Sequence, residues 1–514
     1  MFPRNFTPVL VYLLSSSFVT AGSAELSLDA AIATALENNL GLRISSLEPA
    51  NAFDSVEIEE ARFDPSLFGN AALSERQSAA RSSSLDDADI PQSENRRARA
   101  GVEKLFSTGA SVTLDSSINR SSSNNNAARN PDYASDIGLS LRQPLLQGAW
   151  SPVNLAPLAR AKVNAQQSLF ELRSDVLDLV LETEIAYWNL AFARADRELI
   201  ASSLELAENL LEENRERERL GLVTPLEVLQ AEAEILNQQE AIIQADRVIE
   251  DAEDALRRAM GAVDFSGPVT ESFAVDSLPE RIAALRPLDA VVLDTLKNDD
   301  DAKAQERRIE VERINRMLAQ DATRPELDLT AGVDYLGRDT LGAEAQRGAL
   351  RADGYDWNVG LEIRLPWGFR AAKARERQAA RELEASELQL ADIKQEKALA
   401  ARNAWRSANA GLKRIEVTRA ALALNEKTFE QERARFGSGV VPYRNVLEAQ
   451  RDLDRAKSNY LSSIIETLRA TVRLSRVDGS LFERNDLSWD IEGALAQNAA
   501  PEAKASTTPK EGNQ

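Results

Sequence analysis

The chain has 514 residues, with 82 acidic against 61 basic side chains, so its formal net charge is -21. This acidity argues against binding to the nucleic-acid backbone. The sequence contains neither cysteine nor histidine, which excludes disulfides, thiolate or imidazole metal sites, a thiol nucleophile and a histidine general base. We therefore expect a protein that is not an enzyme and that has no metal site and no cofactor.

The first 24 residues have the pattern of an export signal. Arg4 precedes an apolar stretch from Val9 to Val19, and the small residues Gly22 and Ala24 stand before the expected cleavage point. A buried helix is the alternative interpretation of this stretch. After it, no run of about 18 apolar residues occurs, so we expect no helix that spans an inner membrane. The chain is then either soluble outside the cytoplasm or crosses a membrane as a barrel.

The chain contains an internal repeat. Residues 28–38 align with 288–298, and residues 65–67 align with 325–327 at the same offset. One offset shared by separate segments indicates a tandem duplication. We divide the chain into a signal (1–24), a first structural repeat (25–260), a linker (261–286), a second repeat (287–478) and a C-terminal segment with a disordered tail (479–514).

Each repeat contains a very long predicted helix. Leu158 to Leu220 lacks glycine and proline, and would measure about 95 Å as a helix. Phe369 to Phe436 is interrupted only by Gly411. Such lengths are typical of coiled coils. Two apolar stripes on the first helix predict two neighbours and favour a closed ring of helices; one contains Leu169, Leu172, Val176, Leu179, Ala186, Leu190 and Ala193, and the other Phe170, Leu177, Val180 and Tyr187.

Between the helices the hydrophobic period changes to two. From Tyr355 to Leu365 apolar residues alternate with polar ones over about the length of a membrane-spanning strand, and residues 327–335 and 133–142 do the same. A further hairpin, residues 100–106 and 110–119, gives six strands if it joins the sheet and four if it does not. Neither number closes a barrel around a channel, so we expect an oligomer.

A soluble β-sandwich would also hide the apolar face of these strands. Aromatic residues at the strand ends and three long polar loops favour a membrane barrel. We predict these loops at residues 81–97, 121–131 and 337–353. The polar faces would then line a lumen that favours cations, through Asp136, Arg142, Asp328, Asp334, Asp356, Glu362 and Arg364.

Four motifs carry a resemblance to the TolC-type outer-membrane efflux proteins, also called outer membrane factors. They are Ala35–Asn39, Gln143–Leu146 and the two helical turns Arg217–Glu232 and Arg435–Gln450. The resemblance covers nearly the whole mature chain. It implies a mainly α fold with a β-barrel part: a homotrimer with a shared barrel in the outer membrane and an α-helical tunnel across the periplasm.

The resemblance also implies a function. Members of this family form the exit duct of tripartite efflux pumps or type I secretion systems, with an inner-membrane transporter and a periplasmic adaptor protein as partners. The adaptor docks at the hairpin tips, so the implied contact residues are Gly221, Leu222, Val223, Thr224, Gly439, Val440 and Val441. Any tight helical turn would also need such residues, and a purely structural role remains the alternative.

After the second turn the family commonly has an Asp-Val-Leu-Asp stretch at its closed aperture. The corresponding residues here are Asn445-Val446-Leu447-Glu448, which keep one of the two acids. Three copies of Glu448 would place like charges around a narrow opening, a weaker cation site than two acids would give. The alternative is that Glu448 is an ordinary solvated helix residue.

Other charged runs have simpler interpretations. We interpret Glu212–Arg219 as a solvated helix face and Asp299–Asp301 as an acidic run beside a helix rather than a calcium site. A periplasmic coiled-coil adaptor or scaffold is the rival function, which accounts for the helices but not for the amphipathic strands. A carboxylate-based hydrolase lacks any recognisable pocket-forming segment.

Overall fold

The computed structural model describes residues 12–13, 26–77, 90–124, 129–262, 272–279, 281–485 and 487–488. Most of the predicted export signal and the predicted disordered tail lie outside these residues. The helices are α1 Leu28–Asn38, α2 Leu40–Ser45, α3 Leu47–Ala61, α4 Ser151–Asn154, α5 Ala156–Arg219, α6 Pro225–Met260, α7 Leu288–Asn298, α8 Asp300–Asp321, α9 Gly342–Arg351, α10 Arg370–Gly437, α11 Tyr443–Val477 and α12 Leu481–Arg484. The strands are β1 Tyr12–Leu13, β2 Ser66–Gln77, β3 Gln92–Leu105, β4 Ser111–Ser123, β5 Asp132–Pro144, β6 Glu326–Asp339, β7 Gly354–Arg364 and β8 Leu487–Ser488, and Trp367–Phe369 forms a 3-10 turn.

The chain divides into two compact units. One comprises residues 1–50, 167–305 and 389–514, and the other comprises residues 51–166 and 306–388. Each unit draws on both predicted repeats, because α5 and α10 each contribute residues to both units.

The two long helices have the predicted lengths. Helix α5 has 64 residues and α10 has 68, which correspond to about 96 and 102 Å at the standard rise. Leu169, Leu190 and Tyr187 of the two predicted stripes are almost fully buried, so both stripes of α5 have partners within the chain. No helix in the described part of the chain is long and apolar enough to cross a membrane.

The second unit is organised around a six-stranded antiparallel sheet with the order β2-β3-β4-β5-β6-β7. Both arms of the hairpin β3–β4 join it, and strand β2, which was not among the predicted strands, makes the total six rather than four. The last strand of the first repeat, β5, pairs with the first strand of the second repeat, β6. Within the described residues, β2 and β7 have a neighbour on one side only, so the sheet has two free edges.

The predicted long polar loops were partly wrong. Strand β6 continues to Asp339, and helix α9 occupies most of the segment predicted as loop 337–353. Small residues let this segment pack closely on the sheet, and Ala352 ends the helix in the left-handed region (φ 57°). Strand β3 likewise begins at Gln92, inside the predicted loop 81–97, while residues 81–89 of that loop lie outside the described residues.

Candidate functional site: two-faced sheet and hairpin tips

The sheet has one polar and one apolar face. Residues directly opposed in an antiparallel ladder point to the same side, and successive residues point to opposite sides. Asp334 lies opposite Asp356, and Asp328 lies opposite Glu362. By the same register, all the residues predicted to face a lumen share this polar face: Asp136, Arg142, Asp328, Asp334, Asp356, Glu362 and Arg364.

Arg142 and Arg364 neutralise acids at one end of the strands. A guanidinium nitrogen of Arg142 lies 2.5 Å from Asp328 Oδ2, and Asp328 is buried. Arg364 donates to Glu326 Oε2 at 3.0 Å and to Glu362 Oε1 at 3.1 Å. The other acids of this face lie further along the strands.

Three acids lie in one row across the sheet: Asp115, Asp334 and Asp356. Gly138 separates the first two, and a Cβ added there would collide with the Asp334 carboxylate, so glycine lets this carboxylate lie across β5. The guanidinium of Arg99 forms a bidentate ion pair with the Asp115 carboxylate, at 2.7 and 2.9 Å. Among the described contacts of this row, Asp334 and Asp356 have no such ion pair. Arg99, Asp115 and Glu326 were not among the predicted lumen residues, although the alternation within 110–119 assigns Asp115 to this face.

The apolar face is bare along strand β7. Its outward side chains are between 64% and 71% exposed, far more than a soluble protein tolerates in one contiguous strip; they are Tyr355, Trp357, Val359, Leu361 and Ile363. Tyr335 lies directly opposite Tyr355, so two aromatic rings occupy one level near the end of the strands. Surfaces with this pattern are typical of strands that contact lipid.

The two helical hairpins turn through the same backbone motif. In the first, the N–H of Leu222 donates to Arg217 O at 2.8 Å, and Gly221 has a φ of 74°. In the second, the N–H of Val440 donates to Arg435 O at 3.0 Å, and Gly439 has a φ of 73°. This is a Schellman helix end, which needs a left-handed residue after the helix and therefore favours glycine.

The return helix of the first hairpin starts with a capping box. The N–H of Thr224 donates to Glu227 Oε2 at 2.8 Å, and Pro225 occupies the first helical position, where no N–H is needed. These contacts fix the exposed turn with groups that lie within four residues of one another. The tip is consequently shaped by its own sequence.

The tips of both hairpins share one hydrophobic core. Leu210 of α5, Val228 of α6, Phe436 of α10 and Tyr443 of α11 are buried together in it. Val441 also belongs to this core and is only 9% exposed, so the structure does not support its predicted role as a surface contact. An apolar side chain directly after the turn is drawn inward because it closes the end of the core.

The other predicted contact residues lie at the surface. Gly221, Thr224 and Gly439 are exposed, and Val223 is half-buried against the shared core. Leu222 and Val440 are 68% and 67% exposed at equivalent positions of the two turns. Two large apolar side chains held outward on rigid turns make a surface that suits a protein partner.

Residues 212–219 were predicted to form a solvated helix face, but the Arg217 side chain within them is only 18% exposed. Its guanidinium lies 4.3 Å from the centre of the Phe436 ring and donates to Phe436 O at 3.0 Å. It also pairs with Glu213 at 3.0 Å. Arg217 therefore connects the first hairpin to the C-terminal end of α10, where the helix carbonyls carry partial negative charge. Arg219, by contrast, is exposed and pairs only with Glu216 among the described contacts.

The predicted aperture residues follow the second tip on α11. Glu448 is exposed, and Asn445 is half-buried. Three residues after Glu448 on the same helix, the exposed Arg451 pairs with the buried Glu234 of α6 at 2.7 Å. Burial raises the pKa of Tyr443 to about 12, and its hydroxyl has no hydrogen-bond partner among the described residues.

The acidic run at the start of α8 is structural rather than merely solvated. Asp300 is buried and pairs with Arg173, and Lys397 pairs with Asp299 at 3.1 Å and with Asp301. Burial raises the pKa of Asp300, and Arg173 opposes that shift. The run therefore joins α8 to α5 and α10 within the first unit.

Comparisons with known proteins place these features in a family. A family model described as outer membrane efflux protein matches residues 110–262 and 291–480, more than half of the chain. No curated protein matches the chain.

Solved structures share the fold. The outer-membrane channel OprN is 17% identical with a TM-score of 0.67, covering 88% of this chain and 89% of that one. The outer membrane channel CmeC of Campylobacter jejuni is 16% identical with a TM-score of 0.65, covering 92% and 89%. The open state of the outer membrane channel MtrE of Neisseria gonorrhoeae is 19% identical with a TM-score of 0.59, covering 93% and 98%.

Proposed function

Because the chain belongs to the outer membrane efflux protein family, we propose that it is a trimeric, non-catalytic exit duct for a tripartite efflux pump or a type I secretion system. The protein is located in the outer membrane and extends into the periplasm. Its fold matches solved outer-membrane channels.

The observation that carries the proposal is the two-faced, six-stranded sheet with free edges. A polar face lined by charges and a bare apolar face are what a barrel wall between water and lipid requires. Six strands are too few to enclose an open lumen, whereas three copies, joined edge to edge, reach the strand number of water-filled barrels. Closure would pair β7 of one copy with β2 of the next.

Exposed seams on the helices support the same assembly. On α6, Leu229, Leu236 and Ile243 recur every seven residues and are at least 60% exposed. On α10, Val417 and Leu424 show the same spacing and are similarly exposed. A seven-residue apolar repeat is the signature of a coiled-coil partner. Neighbouring copies would supply that partner.

We place the contact with a periplasmic adaptor at Leu222 and Val440. Single Leu222→Cys and Val440→Cys variants, labelled with a thiol cross-linker in cells, should capture the adaptor, since the chain has no native cysteine. Gly221 and Gly439 are unsuitable labelling sites because their positive φ would strain any side chain. Leu388→Cys is a matched control, because Leu388 is 66% exposed but lies outside the tips.

Mass spectrometry of the captured complex would separate the two systems. The identity of the inner-membrane transporter that co-purifies with the adaptor indicates which of the two systems the duct serves. Equal capture by Leu388→Cys, or no capture by either tip variant, would count against tip docking. The rival function, a periplasmic scaffold, predicts recovery in the soluble periplasm without detergent, which the bare apolar face of β7 makes unfavourable.

We further propose that three copies of Glu448 surround the inner opening, with Asn445 one helical turn away. Current through the channel in a planar bilayer should be reduced by divalent cations on the periplasmic side, and Glu448→Gln should relieve that block. Glu430→Gln on α10 provides a control with the same loss of one exposed charge per chain. Equal divalent block in wild type and Glu448→Gln would refute the assignment.

A further inference from the structure

Helix α9 lies on the apolar face of the sheet. Gln346 Nε2 donates to Ser116 Oγ at 3.1 Å, and Ser135 Oγ donates to Gln346 Oε1 at 2.5 Å. Ser135 is paired with Gly337, which alternates onto the same side as Tyr335. A Cβ at Gly337 would collide with the backbone of α9, so the helix sits directly on this strand.

The level of this helix along the strands is also defined. Gly337 is the next outward residue after Tyr335, which lies opposite Tyr355. Paired aromatic residues on the apolar face of a membrane barrel mark the boundary between acyl chains and head groups. Helix α9 therefore lies at the level of the strands where the hydrocarbon layer ends.

The outward side of α9 combines apolar and cationic groups. Ala345, Gly348 and Ala349 are buried against the sheet, whereas Leu350 is 69% exposed. Arg347 and Arg351 are exposed one helical turn apart. This mixture is what an interfacial helix needs, because the leucine enters the acyl layer while the arginines reach the head groups.

Three acids lie near this helix, and none of them forms an ion pair with Arg351 among the described contacts. Glu344 pairs with Arg347. Asp339 accepts the N–H of Leu341 at 3.2 Å at the start of the helix, and Asp353 lies beyond its end, near Gly348. Arg351 therefore faces outward with no acid one turn away on the helix.

We propose that helix α9 binds anionic lipid head groups of the outer membrane through Arg347 and Arg351, and so fixes the depth of the barrel in the bilayer. The proposal rests on the proposed function, since it takes the apolar face of the sheet to contact lipid. Phosphate groups are the complementary partner for two guanidinium groups, and each arginine near an anionic surface is worth about a fivefold gain in binding.

The test uses the full-length trimer in vesicles. Ala343→Cys, on the exposed side of α9, carries a fluorophore that a spin-labelled head group quenches. Quenching by spin-labelled phosphatidylglycerol should exceed quenching by spin-labelled phosphatidylcholine at the same mole fraction. Arg347→Gln/Arg351→Gln should reduce that preference at least about fivefold, and Glu344→Gln should increase it. Arg377→Gln/Arg381→Gln, two exposed arginines with the same spacing on α10, should leave it unchanged.

The outcomes separate this proposal from the proposed function. Equal quenching by both lipids, or the same loss in the α10 control, overturns anionic binding, while normal bilayer conductance of the same preparation leaves the channel intact. Absence of quenching by either lipid overturns the interfacial position of α9. Absence of conductance in the wild type would instead count against the channel itself.

Discussion

Removal of the Arg217 side chain should loosen the contact between the two hairpin tips. Arg217 of the first hairpin donates to Phe436 O at 3.0 Å and lies over the Phe436 ring at 4.3 Å. Its side chain is only 18% exposed, so solvent screens these contacts little. A hydrogen bond to a charged donor contributes about 1.5 to 3 kcal/mol and a partly buried cation–π contact about 1 kcal/mol. We therefore expect Arg217→Ala to weaken the contact by about 2 to 4 kcal/mol.

Hydrogen exchange of the purified protein measures this change directly. Since 1.4 kcal/mol corresponds to a factor of ten, amides around Phe436 and Val440 should exchange about 30 to 1,000 times faster in Arg217→Ala. Arg217→Lys should give an intermediate result, because it keeps the charge and loses the planar stacking. Exchange at the sheet should not change.

Arg219→Ala is the matched control for this experiment. Arg219 lies two residues away, is 74% exposed and pairs only with Glu216 among the described contacts. Exposed pairs of this kind contribute at most about 0.5 kcal/mol. If both variants accelerate exchange equally, or if Arg217→Ala leaves exchange at Phe436 unchanged, Arg217 does not connect the hairpins.

Three further predictions concern pH, close packing and ion selectivity. Burial raises the pKa of Asp454. A carboxyl group whose pKa is higher in the folded than in the unfolded state stabilises the fold as the pH falls, so acidification from neutral pH should stabilise the wild type more than Asp454→Asn. Identical slopes of Tm against pH for the two proteins would refute this prediction. A Cβ on Gly411 would come within 2.5 Å of Thr467 Oγ1. Gly411→Ala should therefore lower the free energy of unfolding by about 1 to 2 kcal/mol, and Gly411→Ala/Thr467→Ala should restore part of it. An unchanged Tm of Gly411→Ala would show that α10 and α11 are not closely packed at this point. Asp334→Asn/Asp356→Asn should lower the cation-to-anion permeability ratio in planar bilayers at least about twofold, whereas an anion-selective wild type would reverse the assignment of the polar face.

The sequence could predict elements that depend on periodicity. The seven-residue pattern of α5 and the alternation from Tyr355 to Leu365 each specify one buried or apolar side, so helix, strand and face follow from the order of residues alone. Glycine at 221 and 439 likewise identifies the turns, because a left-handed residue is needed at each. The shared polar face of the predicted residues on β5, β6 and β7 follows from this alternation.

Residues whose role depends on contacts distant in sequence were not predictable in this way. Asp115 belongs to the acidic row only because β4 pairs with β5 in a particular register. Val441 looked like a surface turn residue, but the shared core of the two hairpins buries it. Helix α9 is amphipathic but has only 10 residues, and its buried side consists of the small residues Ala345, Gly348 and Ala349. Its position was not predictable, because it depends on small residues in both the helix and the sheet that allow close contact.

The amino-acid sequence alone determined the duplication, the long helices, the two-sided strands and the positions of the turns, because each follows from the spacing of apolar residues and glycines along the chain. Tertiary packing alone decided that six strands share one sheet and that Arg217 bridges two hairpins more than 200 residues apart. It also placed a charged helix on an apolar face. These features arise from pairings between segments far apart in the chain, and the spacing of residues within one segment carries no information about its partner.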